Sequence, residues 1–159
     1  STLMILGHRL KPSSGRPRIQ IVRDLDDLPS VACHAGQLNQ VFMNILANAI
    51  DALEDSLFEE NDTEDQTNQK APQITIRTEN REGSVVISIA DNAAGIPEDI
   101  KDRIFDPFFT TKEVGKGTGM GMSISHQIIT EQHKGKIQCF SDEGVGTEFI
   151  IEIPAQAIV

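Results

Sequence analysis

Four short stretches of this chain carry side chains whose types and spacing could do chemistry. Asn44 and Asn48 stand four residues apart, so on a helix both amides leave from one face. Asn costs a helix about 0.5 kcal/mol against Ala, and two of them at this spacing invite a reason. An amide oxygen can ligate Mg²⁺ while the amide nitrogen donates to phosphate oxygens. A solvated polar face would look the same if the pair stood alone. In Asp91-Asn92-Ala93-Ala94-Gly95-Ile96-Pro97 a carboxylate can accept from an exocyclic amine such as adenine N6, and Gly95 permits close backbone approach to a flat ring. A strand-to-helix turn with a local Asp cap is the plainer reading of that stretch. Phe105-Asp106-Pro107-Phe108-Phe109-Thr110-Thr111-Lys112 gathers three of the seven Phe beside a Lys, either as a core plug or as the anchor of a lid. Gly115-Lys116-Gly117-Thr118-Gly119-Met120-Gly121 places four Gly at alternate positions directly before a helical pattern. Backbone N–H groups of such a loop at a helix start can cradle phosphate whatever the net charge.

These stretches need elements to hold them. Leu38, Val41, Phe42, Ile45, Leu46, Ala49, Ile50, Leu53 and Leu57 keep helical spacing and predict a helix over residues 36–58, with Asn44 and Asn48 on its polar edge. Ile19, Val22 and Leu25 suggest a strand before it. Gln73–Glu79 and Val85–Ala90 alternate as strands around a Glu82-Gly83 turn, and Lys136–Phe140 with Thr147–Ile153 predict a second hairpin. Pro97–Phe105 reads as a short helix, and Met120–Gln132 as a longer one stopped by Gly135. Elements in this order predict an α+β fold: a two-layer α/β sandwich, its sheet mixed and mostly antiparallel, with about three helices on one face.

The composition excludes several classes of function. The chain has 159 residues, enough for one domain, and 14 Lys+Arg against 24 Asp+Glu give a net charge of -10. That balance argues against nucleic acid or an anionic membrane as partner, and the absence of Trp and Tyr weakens base stacking further. Six acids and one Lys between residues 55 and 70 supply half of the charge, which reads as a solvated loop. Cys33 and Cys139 lack a C-x-x-C spacing and are expected as two buried thiols. No stretch approaches 18 continuous apolar residues, and the N-terminus has no signal-peptide layout, so a cytoplasmic fragment of a longer protein is expected.

Two familiar phosphate motifs fail. Gly115-Lys116 lacks the upstream Gly of a Walker loop, and Met stands where the Rossmann fingerprint needs Gly. The stretches QVFMNILANAIDAL, DNAAGIP, IFDPFFTTK and GKGTGMGMSI resemble instead, in order, the N box, first glycine box, F box and second glycine box of sensor histidine kinases. These motifs define the ATP-binding catalytic domain, with its Bergerat-type nucleotide fold related to DNA gyrase-type ATPases. Gly144-Val145-Gly146-Thr147-Glu148-Phe149 resembles the last glycine box, and the likeness runs from about residue 17 to 154.

The resemblance implies ATP and Mg²⁺ as ligands. Asn48 corresponds to the metal-binding Asn, and Asn44, one turn earlier, to a contact with metal or phosphate. Asp91 corresponds to the adenine-reading carboxylate, supported by Gly95, Ile96 and, through a shared water, Thr147. Lys112, Lys116, Gly117, Thr118, Gly119, Met120 and Gly121 would form lid and phosphate cradle, with Phe105, Phe108 and Phe109 positioning the lid. Ala93 departs from a common Gly, and Asp51 from a common phosphate-binding Lys. Asn44 also replaces the water-activating Glu of the hydrolytic relatives. An amide takes no proton at neutral pH, so Asn44, with Lys112, points to phosphoryl transfer and away from hydrolysis.

The expected organisation follows. Residues 1–14 would be the end of a dimerisation helix plus linker and 15–159 the catalytic domain, including a flexible acidic loop at 55–72 and an ATP lid at 106–119. His8 lacks the acceptor context, and His34, His126 and His133 read as surface or packing histidines. The phosphoacceptor His is therefore expected on the protein's own dimerisation domain, as a homodimer, with a response regulator receiver domain downstream. No nucleic acid and no direct membrane contact are expected, and membrane attachment of the full protein is left open. A non-catalytic nucleotide-binding module and an anti-sigma-factor-type serine kinase are the alternatives.

Overall fold

A computed structural model describes residues 19–26, 33–60, 71–107 and 121–154. Five strands, β1 (Gln20–Asp24), β2 (Gln73–Arg81), β3 (Ser84–Asp91), β4 (Lys136–Asp142) and β5 (Gly146–Pro154), form one sheet in the order β1-β2-β3-β5-β4. β1 runs parallel to β2, and the other three pairings are antiparallel. The helices are α1 (Ala35–Glu60), α2 (Glu98–Lys101) and α3 (Gly121–Gln127), the last continuing as a π-helical turn over Ile128–Gln132. This is the α+β sandwich that the patterning predicts, with a mixed, mostly antiparallel sheet.

The core lies between α1, α3 and one sheet face. Along α1 the buried side chains are Leu38, Val41, Ile45, Leu46, Ala49, Ile50 and Leu53, a stripe at helical spacing. They meet Ile74 of β2, Ile89 of β3 and Phe149, Ile151 and Ile153 of β5. The register sets Ile76 opposite Ile89, Ile89 opposite Phe149, and Asp91 opposite both Ile74 and Thr147. Since side chains alternate across a strand, Asp91 leaves β3 on the same face as Ile89, toward the helices. A slip of one residue would send it to the other side.

Several boundaries differ from the sequence reading. α1 continues to Glu60, into the acidic stretch assigned to a loop from residue 55. Glu54, Asp55, Glu59 and Glu60 are good or tolerable helix residues, and their charge alone does not end a helix. Of the short helix expected over 97–105, only Glu98–Lys101 is α-helical, with Pro97 as its N-cap. Cys33 is exposed and Cys139 half-buried, so the expectation of two buried thiols is wrong for the first. Cys33 stands just before α1, ahead of the buried stripe that begins at Leu38. The helix after the glycine loop ends at Gly135 for another reason than a left-handed glycine. Lys134 takes the left-handed conformation (φ 54), whereas a Cβ on Gly135 would overlap the carbonyl oxygen of Glu152.

His133 closes this end of the molecule. It is 2% exposed, its Nε2 accepts the His34 backbone N–H at 3.0 Å, and its Nδ1 donates to the Ile128 carbonyl at 2.9 Å. The backbone donor at Nε2 and the carbonyl at Nδ1 together fix the tautomer. It is a packing histidine, as its context suggests, and it ties the π-helical turn to the start of α1. Among the described residues, no helix is long and apolar enough to cross a membrane.

Candidate functional site

Asp91 ends β3 at the rim of the helix-covered face. Its Oδ1 accepts the Ala93 N–H at 3.0 Å, and the Thr147 backbone N–H also donates to the carboxylate. Burial outweighs those two donors and pushes its pKa from 3.8 up to about 6. A half-buried carboxylate held by two fixed N–H groups offers its remaining lone pairs in set directions. That geometry suits an amine donor on a flat ligand.

The turn after Asp91 is pinned from two sides. Asn92 Oδ1 accepts the Gln73 N–H and its Nδ2 donates to the Ala71 carbonyl, each at 2.9 Å. On the other side the turn locks onto the β4–β5 hairpin. The Gly144 N–H donates to the Ala94 carbonyl at 2.7 Å, and the Ile96 N–H donates to Ser141 Oγ at 2.6 Å. Ser141 Oγ also lies 3.1 Å from both the Gly146 carbonyl and Thr147 Oγ1.

The two glycines of this contact are required by the backbone. Gly95 has φ +84, and a Cβ there would sit 2.5 Å from the Asp142 carbonyl oxygen. Gly146 has φ +148, and its Cβ would overlap the carbonyl oxygen of Asp91 itself. Gly95, read from sequence as room for a flat ring, is thus first a demand of hairpin packing. Ala93, the departure from the usual Gly, is 4% exposed within the core, and its N–H serves Asp91.

Asn44 and Asn48 both lie on α1, half-buried. Asn44 Nδ2 donates to the Gly121 carbonyl at 3.2 Å and to Ser125 Oγ at 3.2 Å. The first residue of α3, directly after the glycine loop, is therefore bonded to the asparagine pair's helix. Ser125 is 0% exposed and donates to the Gly121 carbonyl at 2.8 Å. Thr147 is 7% exposed and sits opposite Asp91.

Phe105 packs on His126 and Phe149, with ring centroids 5.3 and 6.4 Å away. Cys139 lies within electrostatic reach of Lys101 and Asp91. Burial pushes its thiol up to about 11, Lys101 opposes that rise and Asp91 adds to it. A thiol held that high is a poor nucleophile near neutral pH.

The structure thus gathers Asp91, Gly95, Ile96 and Thr147 around the turn after β3 and joins Asn44 to Gly121. Lys112, Lys116, Gly117, Thr118, Gly119 and Met120 lie outside the described residues, as do Phe108 and Phe109. Ser125, Ser141 and Asn92 are positioning residues that the sequence reading did not single out. Ser125 had a signal. It falls in the stripe Met122, Ser125, Ile129, where helical spacing demands an apolar residue.

The profile of the histidine kinase-, DNA gyrase B- and HSP90-like ATPases matches residues 33–157. The chain belongs to this family. Within it the likeness is to the catalytic, ATP-binding domains of histidine kinases. The chain is 37% identical over 150 residues to sporulation kinase E of Bacillus subtilis (strain 168), covering 92% of this chain but only 18% of that protein. The catalytic domain of histidine kinase ThkA superposes with a TM-score of 0.74 at 30% identity, covering 97% of this chain and 88% of that one. ThkA has also been solved in complex with the response regulator protein TrrA. There the TM-score is 0.71 at 26% identity, with 98% of this chain and 38% of the other covered. This histidine kinase-type ATPase domain therefore spans less than a fifth of the length of sporulation kinase E.

Proposed function

We propose that the domain binds ATP together with Mg²⁺ and directs the γ-phosphoryl to a histidine on a dimerisation domain of the same protein. The observation that carries this reading is Asp91. An oriented, half-buried carboxylate at the strand end presents acceptors alone, which matches the donor amine of adenine and opposes the acceptor O6 of guanine.

The donor set suits a hard cation as well. Asn44 and Asn48 are neutral amides one helical turn apart, and the Asn44 nitrogen already faces a carbonyl and a hydroxyl. Asn48 and Asn44 would hold Mg²⁺, which when bound neutralises the charge of the β- and γ-phosphates. The residues of this chain then position and shield the nucleotide. Asp91 and Thr147 fix the adenine, and Ile96 covers it. Lys112, Lys116 and the backbone of Gly117, Thr118, Gly119, Met120 and Gly121 hold the phosphates. Asn44 cannot remove a proton from water, which favours a protein acceptor over hydrolysis.

By the same reading residues 1–14 belong to a dimerisation helix and linker, and 106–119 serve as the ATP lid. The full protein acts as a homodimer whose catalytic domain lies in the cytoplasm, and a response regulator receiver domain takes the phosphoryl from the histidine. Titration calorimetry of the domain tests the nucleotide assignment. ATP is expected to bind at least tenfold more tightly than GTP, because an acceptor set against an acceptor forfeits a charge-assisted bond. Equal affinities would overturn the assignment of Asp91.

A further inference from the structure

On the helix-facing side of the sheet, side chains fall into rows that run across β3, β5 and β4. Ile87, Ile151 and Ile137 make one row, and Ile89, Phe149 and Cys139 the next. The row after these is Asp91, Thr147 and Ser141. Two rows that serve the core are thus followed by a carboxylate and two hydroxyls. Asp91 and Thr147 already have a part in the adenine site, whereas Ser141, on the edge strand, has so far only held the turn. Its Oγ accepts the Ile96 N–H at 2.6 Å, which leaves one lone pair and one hydrogen. At 3.1 Å stand the Gly146 carbonyl, which only accepts, and Thr147 Oγ1, which can do either.

Two arrangements are open to this pair, and they differ only in where the hydroxyl hydrogens point. If Ser141 gives its hydrogen to Gly146 alone, Thr147 donates to Ser141 and shows the site only lone pairs. If Ser141 gives it to Thr147, alone or shared with Gly146, the Thr147 hydrogen is free for the site. The ligand chooses between them. An adenine whose amine meets Asp91 has a ring nitrogen on either side of that amine, N1 and N7, and both are acceptors. One of them is turned toward Thr147, opposite Asp91, where only a donor suits it, directly or through one water. Ser141 also settles which γ atom of Thr147 faces it. The hydroxyl and the methyl are close in size, so shape alone leaves them interchangeable at a site 7% exposed. We infer that Ser141 is a specificity-determining residue acting through Thr147: it holds Oγ1 in place and, by donating to it, frees the Thr147 hydrogen for the ring acceptor beside the amine. The inference rests on the reading of Asp91 and Thr147 as the adenine site, and adds to it a residue and a direction of hydrogen bonding.

The first test needs no nucleotide. Three-bond couplings from the Thr147 methyl carbon to its backbone nitrogen and carbonyl carbon report χ1, and the free wild-type domain should show a single rotamer with Oγ1 toward Ser141. Ser141→Ala should average it over at least two rotamers, and Ser141→Thr, which keeps the hydroxyl, should preserve one. The second test is calorimetry of ATP, 1-deaza-ATP and 7-deaza-ATP, in which N1 or N7 is replaced by C–H. The wild type should bind one of the two analogues about five- to tenfold more weakly than ATP, the worth of one hydrogen bond. Ser141→Ala and Thr147→Val should each shrink that ratio below about twofold, and the double variant should shrink it no further. Loss of the Ile96 bond weakens all three nucleotides alike, so a merely structural role leaves the ratio where it was. A ratio preserved in Ser141→Ala would overturn the inference, however far overall affinity falls. So would a wild type that discriminates against neither analogue, or an averaged Thr147 in the wild-type domain. A single Thr147 rotamer that needs Ser141, in a domain that binds no nucleotide, would instead contradict the proposed function and leave the link between the two hydroxyls standing.

Discussion

Asp91→Asn should abolish ATP binding and leave a domain that is more stable than the wild type at neutral pH. Both effects come from one arrangement. Burial raises the Asp91 pKa from 3.8 to about 6, so the folded protein holds this proton more firmly than the unfolded chain does. Below about pH 4 both states are protonated, and the group has no effect on stability. As pH rises through 4 to 6 the unfolded chain ionises first, and the fold loses stability until Asp91 ionises too. The loss is complete above about pH 6 and amounts to at most about 3 kcal/mol.

Asn removes that loss but replaces one accepting oxygen by a donor nitrogen, so the net gain at pH 7 should be about 1–2 kcal/mol. In urea unfolding the advantage should shrink toward zero, or reverse, near pH 4. ATP affinity should fall by roughly a hundredfold or more, because a charge-assisted bond is lost and an amide hydrogen faces the ligand's donor. In the wild type, affinity should decline as pH drops through about 6, a trend absent in the variant. A variant that is less stable at pH 7, or that keeps its ATP affinity, would contradict the role given to Asp91.

Gly146→Ala should do more damage than any other single methyl added to this hairpin. Its Cβ would overlap the carbonyl oxygen of Asp91, and its φ of +148 is a conformation that L side chains rarely adopt. Strain and overlap together suggest a loss of about 2–5 kcal/mol. Because the clash falls on Asp91, the β3–β5 ladder must open where Asp91 pairs with Thr147, and ATP affinity should drop with stability. Gly144→Ala is the control. Gly144 also has a left-handed φ, +81, but a Cβ there meets nothing within 4 Å. It should cost only about 1 kcal/mol and leave ATP binding within about twofold of wild type. Equal effects of the two substitutions in denaturant unfolding and calorimetry would refute the close-contact account.

The contrast between these glycines shows what the chain discloses unaided. Local periodicity was enough for α1, whose stripe from Leu38 to Leu53 is buried as its spacing requires, and for both hairpins. The ordered motifs singled out Asp91, Thr147, Gly95 and Asn44 as candidates. Contacts between distant segments were not legible. Ser141 serves Ile96 across 45 residues, Ser125 serves Asn44 across 81, and His133 caps the His34 backbone across 99. Nothing in the local pattern around these residues encodes their partners, although a polar side chain on a buried stripe marks Ser125 as unusual. The role of Gly95 was half legible. Its freedom to take a positive φ follows from residue type, but the neighbour that forbids a side chain, Asp142, comes from the β4–β5 hairpin. The extension of α1 to Glu60 was hidden by acidic composition, which signals solvent exposure and not the end of a helix.

The activity proposed for this ATPase-family domain is delivery of phosphoryl to histidine. The direct measurement incubates the domain with its own dimerisation domain, Mg²⁺ and ATP labelled on the γ-phosphate, and follows label on protein. Label is expected on the dimerisation domain, lost in acid and surviving alkali as phosphohistidine does, and absent with Asp91→Asn. Acid-stable label on a protein partner, or tight ATP binding with no transfer to protein, would contradict it.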